Sequence, residues 1–422
     1  MRSEFPTRPL AEMVVNLNRQ RVPIKSSLRK AGPYPYYGAQ GIVDYVDSYI
    51  FDGEFVLVAE DGENLRSRNE PVAQIATGKF WVNNHAHIIR ANEISNNWFL
   101  EAAINQSPLA SFVSGSTIPK LNKSNLEKIP LYCPPKPIQD QVGDFLRTIA
   151  DKIANNRALA TDLEAMARAI FKSWFVDFDP VKAKMEGRAP AGMDADTAAL
   201  FPDELVESEL GLIPKGWEVA AIADLCEIVG GATPSTKNSE YWDEGQHFWA
   251  TPKDLSALSA PVLWGTSRQI TDEGLAKISS GLLPEGTVLL SSRAPIGYLA
   301  ITQVQTAINQ GFIAMKPING ASSAFLMLWA KTFMDLIVGN ANGSTFQEIS
   351  KKSFRPIQLV RPPVNVLGAF SSLASPLFDT IANLDAESIR LADLRDTLLP
   401  RLISGKLRLP ETETVTGQEM AE

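Results

Sequence analysis

His85 and His87 stand two residues apart, a spacing that puts both side chains on one face of a strand. A zinc site needs at least a third ligand, and none is spaced to supply it, so packing or surface hydrogen bonding accounts better for the pair. The carboxylates Glu60 and Asp61 have no base placed to share acid–base work with them. Cys133 and Cys226 are isolated and far apart, which argues against a disulfide framework or a Cys-based metal site and fits a reducing cytoplasm. Gly78-Lys79 and Gly405-Lys406 lie outside any G-x-x-x-x-G-K-[ST] phosphate loop, so an ATP motor is not encoded. No G-x-G-x-x-G follows a strand at the start of the chain. An enzyme that methylates a base amino group would need Asn/Asp-Pro-Pro-aromatic to grip the flipped base. Here Pro134-Pro135 and Pro362-Pro363 follow Cys133 and Arg361 and precede Lys136 and Val364. These residues assemble no active site and no metal site.

Binding chemistry is better represented. Residues 19–38 carry Arg19, Arg21, Lys25, Arg29 and Lys30, followed by Tyr34, Tyr36 and Tyr37. Arg and Lys clamp phosphates or read guanine, and Tyr36 and Tyr37 could pack on sugars or bases. A solvated basic loop above core tyrosines explains the same residues equally well. Later short polar loops offer Thr233, Ser235 and Lys237, then Lys253, then Arg293. Asn309-Gln310 has the amide chemistry that reads adenine bidentately, although such a pair in a turn commonly bonds backbone instead.

A formal net charge of −8 argues against a nucleic-acid partner until its distribution is considered. Residues 176–214 hold nine acids against three bases, and 411–422 hold four acids and no base, leaving the remainder at +2. Residues 1–137 alone carry 15 basic and 13 acidic side chains. The acidity is therefore segregated, and the rest of the chain is free to form local basic patches.

The elements that must position these loops come as an internal repeat. GSTIPKLNKSNLEKIPLYCPP (115–135) aligns without gaps on GSTFQEISKKSFRPIQLVRPP (343–363), with 8 of 21 positions identical. Gly115 and Gly343 read as the points where each variable domain hands over to a shared helix. After each Pro-Pro step comes a long apolar stripe with 3/4 spacing. Val142, Phe145, Ile149, Ile153, Leu163, Met166, Ile170 and Trp174 form the first stripe. Phe370, Leu373, Leu377, Ile381, Leu391, Leu394, Leu398 and Leu402 form the second, 228 residues later. Asn156, in core phase, aligns with Leu384. Each run is too long to bury its stripe alone, so an antiparallel two-helix coiled coil is expected, the alternative being that each stripe packs on its own domain. Pro376 and Pro400 predict kinked or broken ends in the second helix.

The expected fold is α+β. Two mixed α/β domains (1–137 and 215–365) are separated by long helices (138–176 and 366–406) in a pseudo-twofold repeat. An acidic surface linker (177–214), with a short helix near 196–200, and an acidic tail (407–422) complete the chain. Strands are expected over 55–58 and 287–290, and helices over 98–106 and 324–338. No apolar run approaches a membrane span, and Met1–Leu10 lacks the composition of a secretory leader.

Gly38-Ala39-Gln40-Gly41-Ile42, FDGEFVLVAEDG, GLIPKGWE, GGATPST, YWDEG, WATPKDL, AINQGF and the doubled GST…PP-helix unit resemble type I restriction-modification specificity subunits over nearly the whole chain. The resemblance implies two target-recognition domains that each read one half of a split, asymmetric DNA site. It implies that the helices fix the gap between half-sites and dock two methyltransferase subunits, with Phe145, Ile149, Ile153, Leu163, Ile170, Trp174, Leu373, Leu377, Ile381, Leu391 and Leu398 on those helices. Restriction/translocase subunits would join them. S-adenosylmethionine, ATP and Mg, and with them adenine methylation and cleavage, would belong to the partners, with no cofactor in this chain. The rival readings are a stand-alone DNA-modifying enzyme and a coiled-coil scaffold.

Overall fold

The computed structural model describes residues 5–343 and 347–410, so Ser344 and Thr345 of the second GST motif and the acidic residues 411–422 lie outside the described residues. The chain forms two compact units. The first comprises residues 1–153 and 390–422, and the second 154–389.

In the first unit, apolar strands build an antiparallel sheet in the order Val14–Asn16, Ala86–Ala91, Phe55–Ala59, Ala73–Ala76. Phe55–Ala59 is buried at every position, as expected of a central strand covered on both faces. A second sheet runs Gly41–Val46, Tyr34–Gly38, Lys79–Val82, Phe51–Asp52, with Tyr34–Gly38 and Lys79–Val82 parallel. The helix Asn97–Gln106 packs on the first sheet. Its N-cap Asn96 accepts from the backbone N–H groups of Trp98 and Phe99, satisfying donors that have no partner within the helix.

The second unit repeats this scaffold. Its main sheet runs Cys226–Val229, Phe312–Pro317, Val288–Ser292, Ile296–Thr302, Val262–Leu263, and Val288–Ser292 is again wholly buried. The small sheet runs Gln269–Ile270, His247–Ala250, Thr306–Ile308, its last two strands parallel. The helix Ser323–Thr332, capped by Ser322, takes the place of Asn97–Gln106.

The Pro-Pro steps directly precede two 40-residue helices, Lys136–Phe175 and Val364–Ile403, each about 60 Å long at 1.5 Å per residue. Each contributes to both units. In the first unit Val142 and Leu146, early in the first long helix, share a core with Leu399, Leu402 and Ile403, late in the second. In the second unit the order is reversed: Phe171, Trp174 and Phe175 meet Phe370, with the Phe175 and Phe370 rings 5.0 Å apart. The helices are therefore antiparallel.

Three expectations change. The seam of the first helix runs Val142, Leu146, Ile149, Ile153, Asn156, Leu163, Ala167, Phe171, Trp174. Phe145 and Ile170 flank it, and Met166 is 55% exposed. On the second helix Leu373 and Leu394 face outward, Leu377, Leu391 and Leu398 are half-buried, and Phe370, Ala374, Phe378 and Ile381 are buried. A helix of 3.6 residues per turn drifts about 20° per heptad from a fixed 3.5 repeat, so one register cannot follow the buried face over this length.

The second helix also runs unbroken through Pro376 and Pro400. Both prolines are exposed, as are Ser372 and Asp396 four residues before them, so water can reach the carbonyls that lose an N–H donor.

The acidic stretch 177–214 is folded rather than a bare surface connector. It forms the helices Asp179–Met185 and Ala195–Ala199 and the hairpin Leu205–Ser208/Gly211–Pro214. Phe178, Val181 and Phe201 are buried, with Phe201 5.0 Å from Trp174 and Phe178 5.8 Å from Trp217. The apolar residues spaced between the acids hold it down while the charges stay wet.

Among the described residues, no helix is long and apolar enough to cross a membrane.

Candidate nucleic-acid interface

In each unit the loops that follow the parallel strand pair gather at one edge. In the first unit, the turn Asn83–His85 links Lys79–Val82 to Ala86–Ala91. The Asn83 backbone N–H donates to Tyr37 O at 3.0 Å, and Asn83 Oδ1 accepts from the His85 N–H at 2.7 Å. The Glu60 N–H donates to His85 O at 2.8 Å.

In the second unit, the turn Asn309–Gly311 is held the same way. The Asn309 N–H donates to Ala250 O at 3.0 Å, Asn309 Oδ1 accepts from the Gly311 N–H at 2.8 Å, and the Ser292 N–H donates to Gly311 O at 2.8 Å. The segment that follows the GST motif closes on this edge in both units. The Leu121 N–H donates to Glu60 O at 2.8 Å and the Ile349 N–H to Ser292 O at 3.0 Å. Gly115 thus lies in a loop bridged by Ser114 and Lys120, not at the start of the long helix. Its φ of +90° and the 2.2 Å between a built Cβ and Ile118 O explain the glycine.

The basic loop has paired and exposed members. Arg21 is not available for phosphate: its side chain is 14% exposed and donates to Glu60 Oε2 at 2.8 Å and Ala86 O at 2.7 Å. Arg29 donates to Asp44 Oδ2 at 3.0 Å and lies 4.4 Å above the Tyr36 ring, which holds the Asp44 carboxyl below its usual range. Tyr36 is buried, and its hydroxyl accepts from the Ile24 N–H at 2.9 Å, so it braces the loop and cannot stack on a base. Tyr37 is half-buried against Phe80, and burial pushes its hydroxyl pKa up. Arg19, Lys25 and Lys30 are exposed, with no ion pair to them found among the described residues.

In the second unit, the Thr233 hydroxyl donates to Gln310 Oε1 at 2.5 Å. Ser235 and Lys237 are exposed on the same loop, and the Ser235 carbonyl accepts from Trp242 Nε1 at 3.0 Å. Lys253 is exposed beside Pro252, which approaches Gly311. Arg293 is half-exposed and lies 3.5 Å from Glu348. Thr233, Lys253, Arg293 and Gln310 therefore share one edge. Arg268, 3.6 Å above the Trp242 ring, was not singled out by sequence, because its aromatic partner lies 26 residues away. Asn84 was missed too, although its Asn-Asn-His context parallels Asn-Gln-Gly.

The remaining reactive groups are occupied structurally. His87 is buried, with Nδ1 2.7 Å from Asn18 Nδ2 and Nε2 2.7 Å from Leu121 O, and burial holds its pKa below the usual range. His85 pairs with Asp61 at 2.7 Å. Burial pushes the Cys226 thiol up to about 12, leaving no thiolate for chemistry. Among the described residues no cluster of three or more His, Cys, Asp or Glu side chains is placed to hold a metal ion.

Two copies of one scaffold, carrying different loops at matching edges, agree with a family match. The family model described as type I restriction modification DNA specificity domain matches residues 3–165 and again 214–367. The chain belongs to this family. The type I restriction enzyme HindI specificity subunit of Haemophilus influenzae is 27% identical over 335 residues, which is 69% of this chain and 72% of that protein. The MjaIX specificity subunit of Methanocaldococcus jannaschii is 36% identical over 182 residues, 43% of this chain, and the match spans only 42% of that relative. The crystal structure of a type I restriction-modification S subunit from M. genitalium superposes with a TM-score of 0.59 over 95% of this chain and 96% of that one, at 13% identity, so the likeness is one of fold. As a specificity subunit, the chain has sequence recognition as its role.

Proposed function

We propose that this specificity subunit is the non-catalytic reader of a type I restriction-modification assembly. Each domain reads one half of a bipartite, asymmetric DNA site, and the two long helices set the separation. The observation that supports this reading is the doubled scaffold: in both units the turn after the parallel strands is held by the same three hydrogen bonds, while the loops on that edge of each unit differ in sequence. Identical frames can present one kind of partner twice, whereas different loops suit different bases. The limits of the two domains and the DNA-facing assignment of Arg19, Lys25, Lys30, Thr233, Ser235, Lys237, Lys253 and Arg293 belong to this proposal.

Leu159, Met166, Leu373, Ile389 and Leu394 are large apolar side chains left exposed on the helices, which supports docking of methyltransferase subunits there. Those partners would bring S-adenosylmethionine and transfer the methyl group; restriction/translocase subunits would bring ATP and Mg.

The test is a ruler experiment. Inserting one heptad into each long helix at the level of Asn156 adds about 10 Å, or roughly three base pairs at 3.4 Å per step. Mapping of methylated adenines should then show a longer spacer with unchanged half-sites. Altered half-sites at constant spacing would refute the ruler.

A further inference from the structure

We propose that Gln310 and Asn84 are equivalent adenine-reading side chains, each taking the N6–H and N7 edge of one A·T pair in the major groove of its own half-site. The inference rests on the specificity reading above and adds to it the base and the side chains. Both residues sit at the middle of the matching turns, Asn309–Gly311 and Asn83–His85. Three hydrogen bonds fix each turn: one to the neighbouring parallel strand, one across the turn from its first Asn, and one from the end of the central strand. In each turn the side-chain oxygen of the first Asn bonds back to its own turn, and Asn83 and Asn309 are less exposed than the residue that follows. That following residue is exposed in both units and in both is an amide.

Turn chemistry does not demand this. The turn-forming role belongs to the preceding Asn, neither Asn84 nor Gln310 has a positive φ, and Gln is no turn former. An amide presents one acceptor beside one donor, and only adenine answers that pair in the major groove, with its N6–H donor beside its N7 acceptor. Guanine shows two acceptors there, cytosine a donor, and thymine an acceptor with a methyl group. Thr233 aligns the Gln310 amide by donating to Oε1 at 2.5 Å, which leaves the second lone pair for N6–H and the amide N–H for N7. A rigid turn loses little entropy when its tip side chain binds, which favours discrimination over mere contact.

The assembly of this chain with its methyltransferase partner provides the test. Methylated sites are mapped for wild type, Gln310→Ala and Asn84→Ala. Each substitution should relax one A·T position, in a different half-site, and leave the other half-site and the spacer unchanged. Duplexes carrying 7-deazaadenine at that position lack the N7 acceptor and leave the protein intact. Wild-type binding to them should weaken by about 5- to 150-fold, while Gln310→Ala should lose little further affinity. Unchanged motifs in both variants, relaxation at a G·C position, or indifference of the wild type to 7-deazaadenine at every A·T pair would each overturn the proposal. A wild-type assembly that methylates no bipartite site would instead sink the specificity reading, so the two failures are distinguishable.

Discussion

Glu101 should make the first unit less stable as pH rises from 4.5 to about 7. It lies on the helix Asn97–Gln106, in a cleft of about 600 Å³ lined by Arg68, Trp98, Asn105, Leu146, Arg395 and Leu399. Burial pushes its pKa from 4.5 up to about 7, against the pull of Arg395 and of the 2.6 Å hydrogen bond from Asn105 Nδ2. Arg395 forms its ion pair with Asp396, Nε to Oδ1 at 2.8 Å, and among the described residues no salt bridge joins it to Glu101. The matching position in the second unit, counted from the two N-caps, is the buried Met327. Below pH 4.5 the carboxyl is protonated whether folded or not, and stability is full. Between 4.5 and about 7 the unfolded chain has released the proton and the folded one has not, so stability falls with pH. At 1.36 kcal/mol per pH unit that gap costs up to about 3 kcal/mol by pH 8. Glu101→Gln stays neutral throughout. In urea denaturation followed by circular dichroism it should match wild type at pH 4.5 and gain up to about 3 kcal/mol at pH 8. Glu101→Met should behave likewise. If Arg395 dominated instead, Glu101→Gln would be the less stable protein at pH 8, and that result, or a gain independent of pH, refutes the reasoning.

Asn156 is buried in the helix seam and donates through Nδ2 to Glu387 Oε2 at 2.8 Å, Leu384 O at 3.3 Å and Ser388 Oγ at 3.3 Å. Asn156→Ala should cost about 2–3 kcal/mol, and Asn156→Leu, which restores the residue type found 228 positions later, less than about 1; denaturation curves showing Leu worse than Ala would contradict this. Arg21→Ala should destabilise by about 2–3 kcal/mol because it leaves Glu60, which is 16% exposed, with only the looser 3.7 Å pairing to Lys120. Joint replacement of Arg19, Lys25 and Lys30 by Ala should leave stability almost unchanged and flatten the salt dependence of DNA binding by up to about 0.9 per cation. Binding measured against KCl, beside denaturation, checks both, and an unaltered slope returns these three to an ordinary solvated loop.

The repeat and the helices were legible in sequence because their signals are local. A gapless match, Pro-Pro at a helix start and a 3/4 apolar stripe each depend on residues close together in the chain. The absence of phosphate-loop and base-gripping motifs was legible for the same reason. What could not be read was which polar side chains remain available. Arg21 and Arg19 are two residues apart and equally basic, yet Glu60, 39 positions from Arg21, claims one and leaves the other exposed. Tyr36 and Tyr37 are neighbours that meet different surroundings, Tyr36 buried under the Ile24 loop and Tyr37 half-buried against Phe80, because alternate strand residues face opposite sides of the sheet. The acidic stretch 177–214 looked like a connector on charge alone, and only packing against Trp174 and Trp217 shows that it is folded. Asn84 and Gln310 became comparable once the backbone placed them on the same turn, since the residues around them share little sequence. Sequence by itself determined the two-fold plan, the helices and the family. Tertiary structure decided which edge presents the loops and which side chains remain on it, because burial and pairing depend on partners tens of residues away that local pattern cannot register.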